Sequence, residues 1–144
     1  HSLTGGAIDA AVTRVVDTCG VGPVIDKRIH QCSTGFRQRV GLASALIHDP
    51  PVLLLDEPTH GFDPLQVMAF RDLLHQLKQD RAILFSTHII ADVEAVSDRV
   101  LIIDHGRLLA DGTLSHLCDE AGLADPSLER LFAHLVSEIG DAHV

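Results

Sequence analysis

The stretch Val52-Leu53-Leu54-Leu55-Asp56-Glu57-Pro58-Thr59 sets two adjacent carboxylates at the end of a run of large apolar residues. Such a run reads as a buried strand, and its end is where open α/β sheets place ligands and chemistry. A carboxylate pair there suits two jobs: oxygens for a divalent cation, and a group that orients or deprotonates a water. Two acids after a strand also serve as a helix cap or as a solvated surface pair.

Working outward, two more apolar runs, Ala82 to Phe85 and Val100 to Ile103, alternate with helical patterns over Pro64 to Gln79 and Ile90 to Val96. Apolar strands separated by helices predict an α/β fold, with a parallel sheet covered on both faces. Asp63, Pro64 and Gln66 form a helix start, with a cap, a first-turn proline and a capping-box partner. Ile102 to Leu109 reads as a strand, a tight turn at His105-Gly106 and a returning edge strand. Toward the N-terminus, Ile8, Ala11, Val12, Val15 and Val16 recur at helical spacing before the stop signals Gly20 and Gly22. A polar connector then leads to a second helix near Gly35 to Ile47, with Val40, Ala43, Leu46 and Ile47 on one face, closed by Pro50-Pro51. After Thr113 come two short helical patterns, the second with Leu128, Leu131, Phe132, Leu135 and Val136 on one face.

With 144 residues, 46% of them hydrophobic, the chain can bury a sizeable core, so disorder is excluded. No apolar run reaches the roughly 18 to 20 residues of a membrane helix, and no signal segment opens the chain, which predicts a soluble cytosolic protein. The 20 acidic side chains outnumber the 11 basic ones, giving a net charge of −9. From Asp111 onward the only basic group besides histidine is Arg130, and this balance argues against nucleic acid as a partner. Cys19, Cys32 and Cys118 are widely spaced and read as reduced, buried thiols; the ten scattered histidines give no zinc spacing.

Four motifs occur in order: Ser33-Thr34-Gly35-Phe36-Arg37-Gln38-Arg39-Val40, Leu53 to Pro58, Gly61-Phe62-Asp63, and Ser86-Thr87-His88. From about Val15 to Gly112 the chain resembles the second half of an ATP-binding cassette (ABC) ATPase domain, with signature motif, Walker B, D-loop and switch histidine. The resemblance implies the C-terminal part of a P-loop NTPase (RecA-like) sheet with part of the ABC helical subdomain. It implies residues 1–50 as part of the signature subdomain, 51–112 as the second half of the ATPase core, and 113–144 as a C-terminal helical extension. The cofactors implied are ATP and Mg²⁺.

Each motif carries its own physical argument. Ser33 and Gly35, at a helix start, offer a hydroxyl and an unobstructed N–H to a phosphate oxygen, with the helix dipole in support; a Ser-x-Gly there is otherwise a plain N-cap. In the family these residues meet ATP held by the other subunit of a head-to-tail dimer, so Ser33 and Gly35 act in trans. Asp56 would hold Mg²⁺ through water, and Glu57 would orient or deprotonate the attacking water. His88, following a strand, would contact the γ-phosphate, although a lone histidine there is otherwise a satisfied polar group. Asp63 caps a helix and, by resemblance, reaches the dimer interface. Arg37 and Arg39 read as a solvated helix face, and Gln38 and Arg39 as packing positions of the family.

The phosphate loop Gly-x-x-x-x-Gly-Lys-[Ser/Thr] does not occur in these residues, whose lysines are Lys27 and Lys78. No residue is assignable as the Q-loop glutamine, and His1 stands first. A fragment that alone binds and hydrolyses ATP poorly is the economical expectation. The signature departs from Leu-Ser-Gly-Gly-Gln, with Cys32, Thr34 and Phe36 at its first, third and fifth positions, and Phe62 replaces the D-loop leucine. The bulkier Thr34 and the aromatic Phe36 resemble the exporter branch with gliding-motility and multidrug-type ATPases. The intact protein is therefore expected to be an exporter ATPase, cytoplasmic and peripheral to the membrane, joined to permease subunits and to a second ATPase subunit. The competing readings are a soluble ABC ATPase of the translation or DNA-repair type, and a noncatalytic ABC-like module.

Overall fold

The computed structural model describes residues 5–141; residues 1–4 and 142–144, the outer ends of the expected ranges, lie outside it. The chain forms two compact units, within residues 1–87 and 88–144. The first contains α1 (Gly5–Cys19), two short 3-10 turns (Gly22–Val24 and Ile29–Gln31), α2 (Thr34–Leu46), β1 (Val52–Asp56), α3 (Pro64–Leu77) and β2 (Ala82–Ser86). The second contains α4 (Ile90–Val96), β3 (Val100–Asp104), β4 (Arg107–Gly112), α5 (Leu114–Glu120) and α6 (Leu128–Asp141).

In the first unit α1 ends where its glycine signals predict. Gly20 adopts φ +62, which frees the next N–H groups to turn back: Val21 N–H donates to the Val16 carbonyl at 3.1 Å and Gly20 N–H to Asp17 at 3.2 Å. Arginines of the paired helices satisfy carbonyls left open at each other's C-terminal ends. Arg14 of α1 donates to the Leu46 and Ile47 carbonyls at 3.1 and 3.3 Å, and Arg39 of α2 to the Cys19 carbonyl at 3.3 Å. Val15, Cys19, Leu42, Ala43 and Leu46 are buried, the valine and the two leucines each contributing about 1.5–3 kcal/mol. The apolar stripe of α1 is covered only in its second half, since Ile8 and Val12 remain exposed. All three cysteines are buried and unbridged. Burial pushes the Cys19 thiol up to about 11, against the opposing pull of Arg39 and Arg14.

Strands β1 and β2 pair in parallel, from Val52 opposite Ala82 to Asp56 opposite Ser86. Alternation along the pleat puts Leu53, Leu55, Ile83 and Phe85 on one face, all buried or half-buried. The other face carries Val52, Leu54 and Leu84, and Leu54 is 74% exposed. The expected covering of both faces is thus found, among the described residues, on one face of this pair. A second difference concerns the third apolar run. β3 pairs with β4, antiparallel, because His105 and Gly106 take φ +45 and +76 and return the chain at once.

The second unit has its own core of Val100, Ile102, Leu117, Cys118, Leu128 and Leu131. Glu94 of α4 accepts the Leu128 N–H at 2.8 Å, satisfying a donor at the start of α6. Of the apolar face expected on α6, Leu128 and Leu131 are buried whereas Phe132 and Val136 stay exposed. No described helix is long and apolar enough to cross a membrane.

Candidate functional site

At the C-terminal edge of the parallel pair, β1 delivers Asp56 opposite Ser86 of β2. The Ser86 hydroxyl donates to Asp56 Oδ1, and the Ser86 carbonyl accepts the Glu57 N–H at 3.0 Å. One residue of the neighbouring strand therefore grips both members of the carboxylate pair, the first through its side chain and the second through its backbone. Glu57 sits at φ +45, a left-handed conformation that costs a residue with a Cβ about 1–2 kcal/mol. That bend ends the strand and starts a compact turn: His60 N–H donates to the Glu57 carbonyl and Phe62 N–H to Thr59, each at 3.1 Å. Pro58 and Thr59 are buried beneath it, Glu57 is half-buried and Asp56 is exposed.

This edge fits a magnesium ion in its donor chemistry. Asp56 is an accessible hard oxygen ligand whose Oδ1 is oriented by a hydroxyl, leaving Oδ2 as a further acceptor. Mg²⁺ commonly takes one or two carboxylates, keeps several waters and completes its shell with substrate phosphate. Among the described residues no group of three or more His, Cys, Asp or Glu closes around an ion.

Asp63 forms the expected cap. Its Oδ1 accepts the Gln66 N–H at 2.9 Å, and Gln66 Oε1 accepts the Asp63 N–H at 3.4 Å. The same glutamine lies against the start of α2. A methyl group at Gly35 would come within 2.8 Å of Gln66 Cδ, and one at Gly61 within 2.9 Å of Thr34 Cγ2. Ser33 caps α2, its Oγ accepting the Phe36 N–H at 3.4 Å and keeping its own hydroxyl hydrogen as a donor. Gly35 is buried, so the space it leaves is filled from within the chain. The structure thus supplies a packing reason for glycine there, beside the phosphate reason read from the sequence.

Two departures from the family pattern find partners. Thr34 receives Arg37 Nη2 on its hydroxyl at 3.0 Å, while Arg37 Nη1 donates to the Cys32 carbonyl at 2.8 Å. Arg37 is exposed, as expected of a solvated face, and also ties the loop before α2 to the helix itself. Phe62 packs edge-on to Phe70 with ring centroids 5.4 Å apart, an arrangement that a leucine would not make. His88 lies two residues beyond Ser86, exposed, and opens the second unit.

Sequence reasoning singled out Asp56, Glu57, Asp63, Ser33, Gly35 and His88, read Gln66 as the capping partner of Asp63 and Ser86 as part of the motif before His88, and missed the contacts of Gln66 with Gly35, of Ser86 with Asp56 and of Arg37 with Thr34. Setting Val52 opposite Ala82, the first residues of two runs of equal length, would have put Ser86 beside Asp56. The contact of Gln66 with Gly35 has no such local signal, since it joins two helix starts 31 positions apart.

The residues that carry this geometry match known proteins. The ABC transporter family model matches residues 4–60. The bacitracin transport ATP-binding protein BcrA of Bacillus licheniformis is 38% identical over 109 residues, which cover 74% of this chain and 36% of that protein. A solved structure of the ATP-binding subunit of an ABC transporter superposes with a TM-score of 0.80 at 29% identity, over 94% of this chain and 57% of that one. The chain belongs to the ABC transporter ATPase family. A second structure, cbiO1 from Clostridium perfringens, part of the ABC transporter complex cbiONQ, has a TM-score of 0.71 at 32% identity and covers 83% of this chain and 48% of its own. These neighbours bear out the P-loop NTPase fold class. The ABC ATPase chain described here spans about a third of the length of the curated relatives it matches.

Proposed function

We propose that the intact protein is the ATP-hydrolysing subunit of an ABC transporter, working as an exporter with membrane permease subunits and a second ATPase subunit. The carboxylate edge of Asp56 and Glu57, held by Ser86 inside an ABC ATPase chain, carries this reading. Asp56 would hold the Mg²⁺ of Mg·ATP, through water, and the ion would supply charge that offsets the phosphoryl oxygens. Glu57, bent out of the strand, orients the water and takes its proton. Ser33 and the N–H groups at the start of α2, with Gly35, donate to ATP on the partner ATPase subunit. His88 contacts the γ-phosphate, and Asp63 contributes to the dimer interface while capping α3.

BcrA, named for bacitracin transport, and cbiO1, named as part of a transporter complex, support a transport role over a translation or repair role. The exporter direction rests on the signature departures at Thr34 and Phe36. The working location that follows is the cytoplasmic face of the membrane, through the permease. Residues 1–50 then belong to the signature subdomain, 51–112 to the second half of the catalytic core and 113–144 to a helical extension.

Replacing Glu57 by Gln in the full-length protein tests the reading. Steady-state turnover should fall by about 10²–10⁴-fold with ATP affinity retained in equilibrium binding, and unchanged turnover would remove Glu57 from its role. The 144-residue chain by itself should bind Mg·ATP weakly in calorimetric titration, and stoichiometric tight binding would overturn that part.

A further inference from the structure

We infer that Ser86 is a positioning residue for the metal, acting on Asp56 through its hydroxyl. This rests on the assignment of Asp56 to Mg²⁺. The parallel register puts Ser86 directly opposite Asp56, on the same face of the sheet. Its hydroxyl donates to Oδ1, and its carbonyl is committed to the Glu57 N–H at 3.0 Å. The two grips separate chemically. A side-chain substitution at Ser86 removes the bond to Asp56 and leaves the backbone bond that bends Glu57 out of the strand.

An exposed carboxylate otherwise rotates about its χ angles, and ordering it on binding costs rotamer freedom. The Ser86 hydroxyl fixes one oxygen beforehand, so that the other would receive the ion's coordinated water without that cost. A charge-assisted bond of this kind is stronger than a neutral one. Ser86 is thereby an aid to metal affinity, distinct from the water-orienting role of Glu57, and its loss should move the metal dependence more than the maximal rate.

The experiment uses the full-length protein with Mn²⁺ as the probe, its binding read by electron paramagnetic resonance in the presence of a nonhydrolysable ATP analogue. Ser86→Ala should weaken Mn²⁺ by about fivefold to tenfold and raise the Mg²⁺ concentration for half-maximal turnover by a similar factor, while kcat at saturating Mg²⁺ stays within about twofold. Ser86→Thr, which keeps the hydroxyl, should restore the affinity. An unchanged thermal midpoint in Ser86→Ala separates the effect from misfolding. Unchanged Mn²⁺ affinity in Ser86→Ala, or a loss that Ser86→Thr shares, overturns the inference while leaving Asp56 as ligand. Asp56→Asn run in parallel tells the two levels apart: unaltered Mn²⁺ binding there overturns the metal assignment itself, and the role of Ser86 with it.

Discussion

Val100-Leu101-Ile102-Ile103-Asp104-His105 is nearly a copy of Val52-Leu53-Leu54-Leu55-Asp56-Glu57, and the likeness extends into the backbone: Glu57 and His105 both take φ +45 just after a strand-ending aspartate. The surroundings part them. Glu57 is held by the Ser86 carbonyl of a parallel neighbour and leads into the turn under which Pro58 and Thr59 are buried. His105 is held by a hairpin, shares its turn with Gly106, and stands in solvent with Nδ1 2.8 Å from Asp104 Oδ2. The same local shape is the proposed site in one place and a connector in the other. An apolar run ending in aspartate does not determine how its strand pairs; the residues after the aspartate do.

The sharpest way to break this comparison is to make the two ends alike. In the full-length protein, Glu57→His should lower ATP turnover by about 10²-fold or more, whereas His105→Glu should leave it within about twofold; equal losses in a steady-state assay would show the hairpin end to be part of the chemistry. Stability offers a second contrast, because the glycines differ in what they are for. Gly35→Ala meets the flexible end of Gln66, so its cost in denaturant unfolding should be that of the Gln66 bond to the Asp63 N–H, about 0.5–1.5 kcal/mol, and in a Gln66→Ala background it should cost nothing further. At Gly106 a Cβ meets nothing within 4 Å, so Gly106→Ala should cost only its φ strain, about 1 kcal/mol, and no second-site change should rescue it.

The smallest effect is electrostatic. Hydrogen bonding to Asp104, with its charge, raises the His105 pKa above 6.5. Its contribution to stability is therefore fully present below pH 6.5 and fades as pH rises through the folded value. An NMR titration should find the His105 midpoint above 6.5, and Asp104→Asn should bring it down. A midpoint unmoved by that substitution would remove the pair from the account of the turn.

Much of the first unit was legible in the sequence. Helices α1 to α3 and strands β1 and β2 fall within two residues of the boundaries read from periodicity, from the Gly20 stop and from the Asp63 cap. What stayed hidden was pairing beyond local reach. Nothing in Val100 to Ile103 distinguishes a third parallel strand from one arm of a hairpin until His105-Gly106 is weighed as a type I′ turn, which was read as a return but not as a replacement for the parallel partner. The open face of Val52, Leu54 and Leu84 was illegible for a related reason: an apolar run marks residues that can be buried, not which layer lies over them. Asp56 and Glu57 were visible from their place in the run, whereas Ser86 and Gln66, legible as part of a motif and as a capping partner, act on Asp56 and Gly35 across chain distances that leave no local signal.

The abutment of Gly35 on Gln66, with Thr34 on Gly61, has an evolutionary consequence. Bulk at 35 is set by reach at 66, so substitutions of that pair should be accepted in matched steps. Among descendants of this sequence, alanine at 35 should travel with a shorter side chain at 66, whereas position 61, at φ +77, should keep glycine whatever stands at 34. Drift in the signature motif of this lineage is thereby tethered to drift in its D-loop, and the two should record one shared history.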